Sequence, residues 1–528
     1  MKKAIIWLII LAFVFSGLAA AVMSQPATAE TSARVIKTAP PKPVFTDAER
    51  QAELARRRAA VAAKMADNSL LILFSAEPKL YANDVDYVFR QENNLVYLTG
   101  LKQGGAMLAL RKQGGAVTET LFLPKRNPQY ETWNGKMYSN EDASRISGIS
   151  TIVPSTETQA FLESVRERTE FASKEGGGKV GGGAETLYLL LPNGDRDRNG
   201  QREYRQENEF AKGLVDYKVA NARTIFDPLR LIKSPYEIKL MRHAIAISNE
   251  AHMRSMAVVG RTNHEYEVQA EVEYTFRRRG ADYWGYPSIV GCGPNATTLH
   301  YQIPAGEVKS GDLLLMDVGA EYEHYTADIT RTFPVNGKFT KEQAEIYQIV
   351  YDAQEAAAAA TKPGASFAEV SAAAAKVIED GLFRLGLITE KDGRQYGRWY
   401  MHGLGHWLGM NVHDVGSYST PFAAGMIFTN EPGIYIRPDA LDWLPDTPAN
   451  KEFIAKVRPA FEKYKSIGVR IEDNMLVTEN GVEWMSRDLP RTIADIEAFM
   501  ARAPREVTLS SNLLIAPPAP GVRHNHAE

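Results

Sequence analysis

One cysteine, Cys292, stands in 528 residues, so no disulfide can close within a single copy of the chain. Its stability must come from packing and from whatever ligands it holds, and Cys292 itself reads as a small core residue. Charge of one sign is also missing. Lys and Arg number 61 against 64 Asp and Glu, for a net charge of -3, and no long block of either sign occurs. That balance argues against a nucleic-acid or anionic-membrane partner and for a small or neutral ligand. Beyond the first two dozen residues there is no uncharged apolar run long enough to span a bilayer. Two familiar sequence signatures are absent as well. The glycine-rich stretch 174–183, KEGGGKVGGG, lacks the Gly-Lys-Ser/Thr ending of a phosphate-binding loop and reads as a flexible surface loop. His402 and His406 are four apart, but no glutamate follows the first histidine, and Gly403 and Gly405 disfavour the helix that a zincin motif requires.

The composition that remains, 44% hydrophobic and 24% charged, is that of a soluble globular chain with room for two or three domains. Lys2 and Lys3, an apolar run to about Met23 and the small residues Ala27-Thr28-Ala29 read as a secretory signal over residues 1–29, with an uncleaved anchor as the alternative. A flexible lead follows over 30–44. A basic helix is expected over 48–65. From Ser69 the runs LLILFSA, NLVYLTG, AMLALRK and ETLFLP read as strands between charged helical segments, an α/β pattern assigned to a first domain, 45–225. Ser234-Pro235-Tyr236-Glu237, an N-cap serine with a capping-box glutamate, opens the second domain, 226–505. There the same scheme runs twice: helices near 235–258 and 264–279 precede one pair of strands, and helices near 341–361 and 367–385 precede another. The tail, 506–528, is expected to be disordered.

The second domain places acids where they are costly. A hairpin turning between Tyr322 and Glu323 would set Asp317 directly opposite Asp328, and like charges facing each other with Cβ atoms about 5 Å apart repel. A slipped register with one aspartate in solvent is the alternative. Glu431 lies in MIFTNEPGIYI, where Pro432 and Gly433 bend the chain. Arg470 and Glu472 share one face of GVRIEDNMLVT by period-two alternation. Unpaired, each buried carboxylate would cost several kcal/mol. One divalent cation per pair resolves the conflict, and His406 offers a fifth donor. An oxygen-rich set with one imidazole and no thiolate suits Mn²⁺ first, with Co²⁺ or Zn²⁺ as alternatives. Two such ions about 3.5 to 4 Å apart would activate a water for hydrolysis.

Asp317 with Asp328, the histidine stretch 402–416, Glu431-Pro432-Gly433 and the RIED at 470–473 together resemble the pita-bread metallopeptidases, and among them the aminopeptidase P, or Xaa-Pro aminopeptidase, family. FRQENNLVYLTG in the first domain resembles the segment shared with prolidases and creatinases. The resemblance implies a mixed α/β creatinase-like first domain and a pseudo-symmetric pita-bread catalytic domain. It implies that Asp328 and Glu472 bridge two metals, that Asp317 completes one site and that His406 and Glu431 complete the other. A bridging water or hydroxide is then the nucleophile and Glu431 its general base. His300 matches a histidine of the substrate pocket, His413 one that stabilises the tetrahedral intermediate or shuttles a proton, and His402 and Arg470 flanking or substrate-facing positions. His243, His252, His264 and His324 have no such matches and read as surface or helix residues. The resemblance further implies peptide substrates with proline at the second position and a homo-oligomer, dimer or tetramer. A prolidase restricted to dipeptides is the nearest alternative, and a creatinase-like hydrolase or a non-catalytic peptide-binding protein is a more distant one. Two departures stand out: a segment over 441–465 that lengthens the Glu431 to Glu472 interval, and Ala424 where a proline is common.

Overall fold

A computed structural model describes residues 35–194, 197–391 and 393–507. The expected signal and the tail from residue 508 lie outside the described residues. Among those described, no helix is long and apolar enough to cross a membrane.

The N-terminal region is built on a six-stranded mixed sheet in the order 218–221, 186–189, 69–74, 107–113, 116–123, 152–154. Its central strand, Ser69–Phe74, is buried at every position and shows no alternation, as a strand covered on both faces should. The run NLVYLTG is a correction to the strand expectation. It forms the helix Asn93–Thr99, because Glu92 caps it by accepting from the Leu95 amide at 2.7 Å and Gly100 closes it at φ 69°. A short apolar run carries no periodicity that separates a strand from a buried helical turn, so the caps decide. The glycine stretch also differs from expectation: Lys179–Val180 pairs with Phe171–Ala172, and a Cβ on Gly182 would lie 2.3 Å from the Thr169 carbonyl carbon. Gly176, Gly178 and Gly182 thus permit close packing against neighbouring segments. The lead expected to be flexible is held from residue 35 on. The Val35 and Ile36 amides donate to Glu506, and the Ala39 amide donates to Glu250.

The C-terminal region carries a pair of helices, Pro235–Val258 with Glu265–Arg278, outside one set of strands and another pair, Lys341–Ala360 with Phe367–Leu385, outside a second set. All but Glu265–Arg278 open with a Ser or Thr capping box and a Gln or Glu three residues on. One set of strands joins Ile289–Cys292, Leu313–Val318 and Ile329–Pro334; the other joins Ile427–Asn430, Asp473–Thr478 and Gly481–Trp484. A bridge between Thr330 and Glu472 joins the two sets at the centre. This is the pita-bread arrangement the resemblance implied.

The hairpin differs in register. Its tip is Glu323-His324, both left-handed at φ 50° and 67°, with Tyr322 paired to Tyr325. Asp317 therefore faces Thr330, two positions from the expected partner. A two-residue shift preserves the face, so both aspartates still point the same way. His324, expected at the surface, is buried at 3% exposure, and its Nε2 lies 3.3 Å from the Gln91 carbonyl. His243 and His252 are helical, as expected, but buried. The additional segment forms the helix Pro448–Tyr464, which packs Phe461 against Trp399.

Candidate active site

The two sets of strands meet at the Thr330–Glu472 bridge, and their carboxylates line one cavity there. Residues 404–408 run beside the strand Ile427–Asn430: the Leu408 amide donates to Ile427, the Thr429 amide to His406 and the Glu431 amide to Leu404. His406 therefore sits on an extended segment, and the glycine before it has a local reason, since a Cβ on Gly405 would lie 1.9 Å from the Thr429 carbonyl oxygen. The Thr429 hydroxyl accepts from the His406 amide at 3.0 Å and donates to Glu431 at 3.1 Å, fixing one relative to the other. His406 Nδ1 donates to the Trp407 carbonyl at 3.1 Å, which turns Nε2 toward Asp328 at 3.1 Å and Glu431 at 3.4 Å.

On the other side Arg470 donates from Nη2 to Asp317 at 2.6 Å, from Nη1 to the Tyr435 hydroxyl at 2.9 Å and from Nε to the Thr330 hydroxyl at 3.1 Å. Thr330 in turn donates to Glu472 at 2.6 Å. Tyr435 donates to His402 Nε2 at 2.8 Å. The Tyr286 hydroxyl is within hydrogen-bond reach of both Asp317 and Asp328, and its single proton cannot serve two ionised carboxylates.

The charges do not balance within the site. Arg470 answers Asp317, but Asp328, Glu431 and Glu472 share only His406. Burial, followed by the charge of Asp317, raises Asp328. Burial raises Glu431 to about 7, with the Asp328 and Asp317 charges adding and His406 and Arg470 opposing. Glu472 is raised well above the usual carboxylate range by burial, then by Asp328 and Glu431. His406 moves the opposite way: burial opposes its charge, but its hydrogen bond to Asp328 and the carboxylates around it raise it to about 9. Without a cation, protons must stand in for one. Donor atoms of Asp328, His406 and Glu472 lie within 4.8 Å of one another, and Asp317 and Glu431 extend the set on either side, so these residues fit divalent cations. A second cluster, Asp282, Glu321 and His324, is different. Lys102 pairs with Asp282 at 2.9 Å and Arg90 with Glu321 at 2.8 Å, so its carboxylates already have cations.

All nine residues singled out in the sequence line one cavity of about 650 Å³. His300 and His413 are exposed at its wall, whereas His402 is half-buried. The His413 ring lies 4.0 Å from that of His406. Partial loss of water at the cavity wall, then the charge on His406, holds His413 down to about 4; burial, then Arg470, does the same for His402. Sequence reasoning missed Tyr286, Tyr435, Thr330 and Thr429. Thr330 was accessible, since it shares a face with Asp328 by alternation. Tyr286 carried no local signal.

Buried, convergent acids with one imidazole, at the centre of a duplicated helix-and-strand scheme, define a metallopeptidase. Residues 239–479 match metallopeptidase family M24, and residues 54–172 match the N-terminal domain of aminopeptidase P. The chain is 36% identical over 463 residues to the Xaa-Pro aminopeptidase of Haemophilus influenzae, covering 85% of this chain and 97% of that one. Among solved structures it is similar to aminopeptidase P from Escherichia coli in its low-pH form, with TM-score 0.74, 31% identity and coverage of 86% of this chain and 98% of that one. The Pseudomonas aeruginosa aminopeptidase PepP aligns with TM-score 0.71 and 36% identity over 86% of this chain and 99% of that one. The chain belongs to the aminopeptidase P family of M24 metallopeptidases, and it is a metallo-aminopeptidase.

Proposed function

We propose that the enzyme is exported and removes the first residue of peptides whose second residue is proline. The observation that carries the chemistry is the convergence of Asp317, Asp328, His406, Glu431 and Glu472 in one cavity with too few cations to match them. The proline preference rests on the named activity of the relatives. Two divalent cations, Mn²⁺ before Co²⁺ or Zn²⁺, supply Lewis acidity when bound, polarising the scissile carbonyl and lowering the pKa of a water. Asp317, Asp328, His406, Glu431 and Glu472 would hold these cations. Arg470, Tyr286 and Thr330 fix the carboxylate oxygens so that they need not reorganise during the reaction.

Glu431 takes the proton of the attacking water, and its value of about 7 before a cation binds reflects how readily this carboxyl holds a proton at neutral pH. His413, a neutral imidazole at that pH, donates its one ring N–H to the carbonyl oxygen as it becomes an oxyanion. The proton on Glu431 passes to the proline nitrogen, which leaves as a secondary amine when the C–N bond breaks. His300 and His402 line the cavity that receives the peptide. The Xaa-Pro bond is a tertiary amide with no N–H to offer, so a dedicated pocket has a use that general peptidases do not meet. The working form is a dimer or tetramer, and the signal over residues 1–29 directs it out of the cytoplasm.

The test is mass spectrometry of products from Mn²⁺-loaded protein given Ala-Pro, Ala-Pro-Ala and a longer Xaa-Pro peptide separately. Release of the first residue from the longer peptides supports this reading. Cleavage of Ala-Pro alone replaces it with a dipeptidase, and no cleavage with any divalent cation refutes it.

A further inference from the structure

The segment 89–94, FRQENN, is far in sequence from the catalytic residues, yet it spends an unusual amount of buried polarity. Gln91, Glu92, Asn93 and Asn94 are 2 to 6% exposed in succession. Four buried polar side chains in a row are costly unless every one is hydrogen-bonded. Gln91 and Glu92 are used locally. Gln91 accepts from the Ala76 amide and donates to the Gln103 carbonyl, and Glu92 caps the helix Asn93–Thr99. The others reach across to the catalytic domain, and they converge on one loop.

Arg90 donates from Nη2 to the Met410 carbonyl at 2.6 Å, from Nη1 to Asn93 at 2.9 Å and from Nε to Glu321 at 2.8 Å. Asn93 donates to the Asn411 side-chain oxygen at 2.8 Å. Asn94 accepts from Arg230 Nη1 at 2.9 Å, and Arg230 Nη2 donates to Asp414 at 2.7 Å. The loop 406–414 is thus gripped at Met410, Asn411 and Asp414. Its backbone is tied further by the Thr326 amide donating to Gly409 and the Asp414 amide donating to Trp407. His413 lies between two of the grips. Its own ring has no hydrogen bond to another described residue and meets the ring of His406 4.0 Å away. Its location is therefore set by what holds Asn411 and Asp414.

We propose that Arg90 and Asn93 are positioning residues for catalysis, with Asn94 and Arg230 completing the clamp: the N-terminal domain fixes the loop 406–414 from behind and so holds His413 at the reacting carbonyl. The inference rests on the proposed role of His413. It gives the FRQENN segment a task that neither metal binding nor the N-terminal sheet requires. Displacements of about 1 Å in a catalytic group lower rates by up to about a hundredfold. Because His413 acts on the transition state, the loss falls on kcat and leaves KM little changed.

The test uses the full, Mn²⁺-loaded chain and four variants: Arg90→Ala, Asn93→Ala, Asn411→Ala and Asn93→Asp. Arg90→Ala and Asn93→Ala are expected to lower kcat about 10- to 100-fold with KM within about twofold, bound metal unchanged and a folded protein at the assay temperature. Asn93→Asp is expected to recover most of the rate, since a carboxylate still accepts from Arg90 and Asn411 can turn its amide over to donate to it. Asn93→Ala and Asn411→Ala are expected to be non-additive in kcat. Amide exchange over 406–414 in the metal-free protein supplies a readout independent of activity, and it is expected to accelerate in the Arg90→Ala and Asn93→Ala variants. The proposal is overturned if kcat stays within about twofold of the parent in both, if their losses track only the folded fraction or metal content, or if exchange over the loop is unchanged. An inactive parent enzyme with loop exchange still governed by Arg90 would refute the proposed function and leave the clamp standing.

Discussion

Cation uptake by this site must expel protons, and the structure fixes roughly how many. At pH 7 in the metal-free protein His406, raised to about 9, carries its extra proton. Glu431, at about 7, is half protonated, and burial with the charges of Asp328 and Glu431 pushes Glu472 in the same direction. A cation requires neutral His406 and ionised carboxylates, so His406 and Glu431 are together expected to release about one to two protons at pH 7. The number has a definite sign of change. It rises as the pH falls through the range of Glu431 and declines as the pH climbs toward that of His406, so apparent affinity strengthens with pH throughout. The assay is isothermal titration of the metal-free enzyme with Mn²⁺ in two buffers of different ionisation enthalpy at one pH, where the difference in heat reports protons released. Glu431→Gln is expected to lower the count. Release of less than one proton at pH 7 would mean that the carboxylates are ionised without a cation. Burial and mutual repulsion would then not suffice to hold protons on these groups.

Asp328→Ala removes the acid that contacts both Tyr286 and His406, and it is expected to abolish metal binding and activity while far-ultraviolet circular dichroism stays native. Full retained activity would refute the dinuclear reading. Gly405→Ala places a Cβ 1.9 Å from the Thr429 carbonyl, so the strand carrying Thr429 and Glu431 must shift; a stability loss of about 1 to 3 kcal/mol in urea unfolding is expected, with a larger proportional fall in kcat. Glu207, in the N-terminal domain, is raised by burial to about 8 from its ordinary 4.5. The folded state then binds more protons than the unfolded one between those values, so Glu207 makes stability fall as pH rises from about 4.5 to about 8, by up to about 4 to 5 kcal/mol. Glu207→Gln is expected to flatten that slope in urea titrations at several pH values.

The acids were legible in the sequence because each is an energetic conflict: an unpaired charge in an apolar strand demands a counterion wherever the strand happens to lie. His406 was legible through the glycines around it, and the helix starts through their capping residues. The hairpin register was not. A slip of two residues leaves every side chain on the same face, so the pattern around Asp317 and Asp328 fits the true and the displaced pairing equally well. The helix Asn93–Thr99 was hidden for a related reason, since seven buried residues show no period to read. His324 was misplaced because a polar residue at a turn reads as exposed, whereas segments distant in sequence, Gln91 among them, pack against it.

Thr330, Thr429 and Tyr286 point to a more general limit. Each acts on a functional group contributed by another segment: Thr330 on Glu472, Thr429 on His406, Tyr286 on both aspartates. Local rules say that a buried hydroxyl needs a partner without saying which, and the partners Thr330 and Glu472 are 142 residues apart. Arg90 and Met410 are 320 apart, so the same reasoning applies with greater force to the clamp on the histidine loop. The proposed metal ligands can be inferred one at a time because a cation would be their common partner. The residues that hold them in place have no common partner, and their roles become readable only when the fold brings the pairs together.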